Sequence, residues 1–293
     1  MKYIFFALLA AVLYALNAPF SKLLLAELPP AAMAGLLYLG AGIGMAAVGL
    51  AGRLGGRKQT EKPLERTDFP YVLAMILLDI AAPILLMLGL SRTSAAAASL
   101  LNNFEIVATS LIALAVFREK LSPRLWAAIG LVTISCALLS AEDVILGGET
   151  LEFSAGSLFV LGACICWGIE NNCTGKLSEK DPLQVVVVKG IFSGIGSLVT
   201  AWLTGETIPL TLSIIGALIL GFVAYGLSIY FYVSAQRGLG AAKTSAYYAV
   251  APFVGSGISL VLYREIPSII FLGALAVMIA GTVLASEPER SPK

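Results

Sequence analysis

The chain has 293 residues, 58% of them hydrophobic and only 13% charged, where a soluble domain carries roughly 25% charged residues. A net charge of +1, with no glycine-rich phosphate loop and no helix-turn-helix signature, excludes nucleic acid as a partner. Histidine is absent, which excludes Ser-His and Cys-His catalytic pairs and most zinc sites, so any proton chemistry falls to carboxylates.

Such a composition is that of an all-α integral membrane protein. A helix needs about 20 mostly apolar residues to cross a bilayer, and cuts at charges, prolines and glycine clusters give ten spans: 3–25, 31–52, 69–90, 94–117, 123–141, 154–176, 183–204, 210–234, 241–262 and 267–286. The first follows Lys2 and has the look of a signal peptide, yet no small-x-small cleavage site follows it, and it is counted as a span. Between the second and third spans lies the longest connection, "GRLGGRKQTEKPLERTD", a solvated basic loop. After the fifth comes "EDVILGGETLE", with four acids and no base. The four cysteines, Cys136, Cys164, Cys166 and Cys173, all lie within apolar stretches and read as reduced packing residues. With the N-terminus inside, all Lys and Arg except Lys22, Arg92, Lys189 and Arg264 fall on the cytoplasmic side, 15 of the 19. The expectation is a multi-pass protein of the cell membrane with both termini cytoplasmic.

An internal repeat organises these spans. A shift of 146 lays "FREKLSP" near "YREIPS", with Arg118-Glu119 on Arg264-Glu265, Ala95-Ala96 on Ala241-Ala242 and Ser99 on Ser245. A shift of 154 places Asn17 on Asn171 and Lys22-Leu23 on Lys176-Leu177. Residues 1–146 and 147–293 are thus two related five-helix halves. Five is odd, so the second half sits upside down relative to the first, an architecture that recurs in secondary transporters with the site at the midplane.

The sixth span reads "CWGIENNCTGKL", echoed in the first by "LYALNAPFSKL", and an Arg-Glu pair follows the fourth and ninth spans. On these features the chain resembles the EamA-type family of the drug/metabolite transporter superfamily over nearly its whole length. The resemblance implies ten helices in two inverted repeats and carriage of small metabolites, usually outward and often driven by an ion gradient. It leaves the substrate open, since the superfamily handles amino acids, amines, sugars and nucleotide conjugates. Two positions depart from the family pattern: Tyr14-Ala15 stands where Trp-Gly is usual, and Glu105 where an apolar residue or proline is common.

Helical spacing, in which residues three or four apart share a face, marks the candidate site. Ser99, Asn102, Glu105 and Thr109 form one stripe; Tyr225, Ser228, Tyr232 and Gln236 another. Tyr14, Asn17 and Ser21, then Trp167, Glu170, Asn171 and Thr174, then Thr244, Tyr247 and Tyr248 add three more, and Asp79 stands four residues before Pro83. Spans 2, 5 and 10 have no such stripe and are expected on the outside. Ser and Thr on these faces can equally be packing or back-bonding residues. A charge at the bilayer centre costs roughly 2.5–3.5 kcal/mol on insertion scales, so Glu105, Glu170 and Asp79 call for a cavity or a partner. For Glu105 and Glu170 three readings stand, a coupling carboxylate, a fixed ion pair with Lys189, or an interhelical hydrogen bond as a neutral acid; for Asp79 the readings are pairing and function, and Lys189 itself either pairs or snorkels to the membrane edge.

The expected function is a secondary transporter exporting a small polar or amphipathic metabolite, an amino acid or amine, by alternating access with protons as the coupling ion. Glu105 would bind a proton or a substrate ammonium; Asn102, Asn17 and Asn171 would orient it; Trp167, Tyr247 and Tyr248 would wall it in; and Lys189 would meet a substrate carboxylate. A passive facilitator fits the same composition. No cofactor, metal site or enzymatic constellation is expected, and the sequence leaves the oligomeric state open.

Overall fold

The computed structural model describes residues 2–56, 61–117, 122–146, 151–175, 177, 179–239, 244 and 247–286. Every regular element among them is helical, apart from an isolated bridge between Lys62 and Lys180. In chain order these are α1 (Lys2–Ala15), α2 (Asn17–Leu24), α3 (Pro30–Leu54), α4 (Phe69–Leu90), α5 (Ala95–Leu101), α6 (Phe104–Phe117), α7 (Pro123–Leu146), α8 (Leu151–Gly175), α9 (Pro182–Leu203), α10 (Ser213–Gly221), α11 (Ser228–Leu239), α12 (Ala251–Tyr263) and α13 (Ile269–Ser286). A 3₁₀ turn, Arg66–Asp68, precedes α4, and a π-helical turn, Phe222–Leu227, joins α10 to α11. Among the described residues six stretches are long and apolar enough to cross a membrane: Lys2–Leu24, Pro30–Leu54, Arg66–Leu90, Ala95–Ile112, Pro182–Leu203 and Ser213–Ala235. Four further apolar helices, Pro123–Leu139, Ala155–Asn171, Ala251–Tyr263 and Ile269–Ala285, are shorter.

Several expected spans are interrupted, each for a local reason. Pro19 has no N–H for the Ala15 carbonyl one turn earlier, and the chain turns at Leu16 between α1 and α2. Pro252 does the same to Tyr248, and a turn at Ala249–Val250 precedes α12. The third interruption has no proline. At Asn102-Asn103 the backbone tightens to three-residue bonds, Asn103 N–H to Leu100 O at 3.0 Å and Glu105 N–H to Asn102 O at 3.1 Å. Asparagine favours this because its side chain competes with the helix for backbone partners.

The helices pair mainly across the halves of the chain: α3 with α9, α7 with α13, α5 with α12, α4 with α8 and α1 with α11. α3 occupies the middle rather than the outside, and 67% of its most apolar window is buried. What brings it inside is backbone approach, not polarity. A Cβ at Gly42 would lie 2.6 Å from the Ile191 nitrogen, and one at Gly190 2.4 Å from the Gly42 nitrogen, so the α3–α9 seam closes only with glycine on both sides. On its other flank α3 meets α10, where Gly221 abuts the Leu37 carbonyl. The α7–α13 pair does lie to one side, sharing little with the rest beyond α8, α6 and α5.

The central pair is also tied at its ends, reciprocally. Glu206, just after α9, accepts the N–H groups of Ala31 at 3.1 Å and Ala32 at 2.9 Å, capping the start of α3. The chain after α3 returns the contact: Lys62 O accepts Asp181 N–H at 2.8 Å, Leu64 N–H donates to Gln184 Oε1 at 2.8 Å, and Asp68 lies 3.1 Å from Lys180. Asp68, and Glu65 behind it, hold the half-buried Lys180 ammonium above its ordinary value. A raised lysine contributes below its ordinary value and loses the contribution only as pH rises through the folded one, so this tie is constant at neutral pH. Replacing Gly190 by Ala is expected to lower stability by about 1–3 kcal/mol, as overpacking does. Thermal unfolding in detergent measures it, with Gly273→Ala, which meets nothing within 4 Å, as the neutral control.

Candidate functional site

Three of the expected site residues form one buried ion cluster. Lys189 of α9 places Nζ 3.0 Å from Asp79 Oδ2 of α4 and 3.1 Å from Glu170 Oε1 of α8. Their relative exposures are 6%, 0% and 3%. Tyr38 OH of α3 donates to Asp79 Oδ1 at 2.8 Å, and Thr174 Oγ1, one turn on from Glu170, donates to the oxygen that Lys189 touches. Lys189 therefore does not snorkel outward. Two carboxylates are already upon it in this arrangement, so a substrate carboxylate would have to displace one of them, and Asp79 and Glu170 are both ion-paired here.

Glu105 stands apart from Lys189. It begins the first turn of α6, directly after the Asn102-Asn103 interruption, and its Oε1 accepts Asn171 Nδ2 at 2.6 Å. Asn171 is exposed and Glu105 half-buried, so this carboxylate is accessible where the cluster is sealed. The two sites adjoin through α8, on which Glu170 and Asn171 are consecutive.

A chain of tyrosines runs from the cluster to the helix interruptions. Tyr38 packs on Tyr225 with ring centroids 5.1 Å apart, Tyr225 on Tyr14 at 5.9 Å, Tyr14 on Tyr248 at 5.8 Å, and Tyr248 on Tyr232 at 4.8 Å. Tyr225 belongs to the π-helical turn, a distortion often found at functional sites. Its hydroxyl accepts Asn17 Nδ2 at 3.0 Å, while Asn17 Oδ1 accepts Ser21 Oγ at 3.0 Å. Asn17 opens α2 at the first interruption. All three interruptions meet at a narrow crevice lined by Tyr14, Asn17, Ser99, Asn102 and Pro252. The Leu101 carbonyl, left by the tightened turn, is met by Cys164 Sγ at 3.6 Å, and Asn102 is 7% exposed there.

The remaining expected residues separate. Trp167 is buried in the main apolar core at 5% exposure, and Tyr247 lies exposed at 36%, away from its neighbour Tyr248. Arg118-Glu119, Ser245 and the Gln236 side chain lie outside the described residues. Tyr38 was not anticipated. A lone hydroxyl in the aliphatic run "GLLYLGAG" was its only signal, and one polar atom makes no stripe.

Comparison with known proteins adds the following. The model of the EamA-like transporter family matches residues 1–141 and again 154–287. A Methanothermobacter thermautotrophicus protein named an uncharacterized transporter is 24% identical over 290 residues, covering 94% of this chain and 83% of its own. The Bacillus subtilis uncharacterized transporter YyaM is 24% identical over 238 residues, 78% of this chain and 77% of its own. A crystal structure superposes with a TM-score of 0.70 at 18% identity, covering 98% of this chain and 96% of the other, a likeness of fold alone.

The Tyr38–Asp79 bond supplies a direct test of the cluster. Tyr38→Phe keeps the ring contact with Tyr225 and removes one donor from a buried carboxylate, a loss of about 1–3 kcal/mol in stability. Thermal unfolding of the purified protein should register it, and an unchanged midpoint would mean that the bond carries no net weight.

Proposed function

The chain belongs to the EamA-like transporter family, and from that premise we propose that it is a secondary transporter exporting a small polar or amphipathic metabolite, an amino acid or amine, in exchange for protons. As a family member it is a multi-pass membrane protein whose substrate is a small molecule. The finer reading is ten spans in two inverted halves, 1–146 and 147–293, in the cell membrane with both termini cytoplasmic. Support comes from the strongest pairings of helices: when each span is exchanged for the one five places on, α3–α9, α5–α12 and α7–α13 map onto themselves and α4–α8 maps onto α1–α11, as a two-fold relation between halves requires. The interruptions at Asn102-Asn103 and Ala249–Val250 agree with the 146-residue shift to within one residue.

The observation that carries the functional reading is Glu105, a carboxylate bonded to a neutral amide, half-buried, and standing beside a helix interruption. Broken helices with freed carbonyls are where transporters of inverted-repeat type seat their cargo. In this reading Glu105 takes a proton or the substrate ammonium in alternation, Asn171 and Asn102 orient it, Asn17 reports from the first interruption, and Tyr14, Tyr225, Tyr232 and Tyr248 form the aromatic wall. Lys189, Asp79 and Glu170 hold α9, α4 and α8 in place beside it.

The test is accumulation of labelled amino acids and amines by proteoliposomes under an imposed pH gradient. Wild-type protein should accumulate at least one of them uphill, with a pH dependence that Glu105→Gln abolishes. Equal accumulation in both proteins would move the site elsewhere. Equilibration without accumulation would make the protein a passive facilitator.

A further inference from the structure

Counting charge in the ion cluster leaves a remainder. Asp79 and Glu170 are two carboxyls and Lys189 is one ammonium, and among the described residues neither carboxyl pairs with any other cation. Every described hydrogen bond to the two comes from a neutral or cationic donor, Tyr38, Thr174 or Lys189, and all three ionisable groups are at least nine-tenths buried. Fully ionised, the cluster would hold one uncompensated negative charge in an apolar interior, where an unmatched ion is costly. Its other titratable neighbours supply no compensating charge: Glu105 on α6 and Cys166 and Cys173 on α8 bring no positive charge, and Tyr38 on α3 and Tyr225 in the π-helical turn are neutral phenols.

We propose that Asp79, Glu170 and Lys189 form a proton-exchange site separate from Glu105, in which a single proton is shared between the two carboxyls. The geometry gives that proton a resting place and a route. Lys189 is nearly equidistant from the two acids, 3.0 and 3.1 Å, so one ammonium matches one carboxylate while the other carboxyl stays neutral. Asp79 is wholly sealed, but Glu170 precedes the exposed Asn171 and bonds the half-buried Thr174. The proton therefore enters and leaves at Glu170. Its departure puts a second negative charge on Lys189 and draws α8 toward α4 and α9. This goes beyond the role given to Glu105 and requires no identified cargo.

Infrared difference spectroscopy on the full-length protein reconstituted in lipid tests the site without any substrate, exchanging buffer between about pH 6 and about pH 9, above the range of ordinary carboxyls. In Glu105→Gln a protonated-carboxyl band should persist at the lower pH, shift in D2O and vanish at the higher pH. Adding Glu170→Gln leaves a matched Asp79–Lys189 pair, and the titrating band should be lost. Because that change relieves a surplus charge, the double variant should keep its monodisperse elution; Asp79→Asn in the same background leaves Glu170 matched and should lose the band equally. No titrating carboxyl in Glu105→Gln, or a band that survives both second substitutions, overturns the proposal. Either result leaves the transport reading of Glu105 to its own experiment.

Discussion

One ammonium, that of Lys189, sets where three helices can sit. Buried as it is, it has to be met by carboxylate, and Asp79 on α4 and Glu170 on α8 are the groups that meet it. That requirement turns the polar faces of both helices toward α9 and brings α3 with them, since Tyr38 completes the shell of Asp79. An apolar trio of the same volume would pack at no electrostatic cost, and buried ion clusters are weak sources of stability. Retention of the charges is intelligible when they are used, and a surplus of acid over base is the form of cluster that can be.

The backbone is deformable in a matching pattern. Proline at 19 and 252 and the asparagine pair at 102 and 103 each break a helix where hydrogen bonds would otherwise make it stiff, and the three breaks lie around one crevice. Tyr225 adds a wide turn in a fourth span and touches both Tyr38 and Asn17. At these breaks Asn17 and the Leu101 carbonyl find partners within the bundle, as hydrocarbon surroundings demand, while Asn103 Nδ2 and Ser99 Oγ make no hydrogen bond among the described residues.

Much of this was legible from residue pattern and some was not. Apolar run length located the helices, and the positions of Glu105, Asn102, Asn17, Asp79 and Glu170 stood out because acids and amides are costly among aliphatic residues. The breaks near Pro19 and Pro252 are written in the residue type, since proline has no N–H to continue a helix. The Asn102-Asn103 break was hidden, since amides in a membrane span read first as ligands and only then as competitors for backbone hydrogen bonds. α3 was misplaced to the exterior for a related reason: its route to the centre is the absence of side chains at Gly42 and, across the seam, Gly190, which no polarity pattern records. The two-to-one composition of the Lys189 cluster depends on three helices meeting, and periodicity within one helix carries no information about its neighbours.

The seam between α3 and α9 has a mechanical meaning. Backbone packed directly on backbone has no side-chain layer to slide or shear, and this pair is also strapped at both ends by Glu206 and by the Lys62–Asp68 segment. It behaves as a keel. The interrupted helices α1–α2, α5–α6 and α12 lack continuous backbone bonding at their breaks, so any displacement within the molecule would be easier there than at the keel. In the proposed transport cycle a crosslink across the seam would therefore be silent, and the same crosslink placed between α5 and α12 would arrest it.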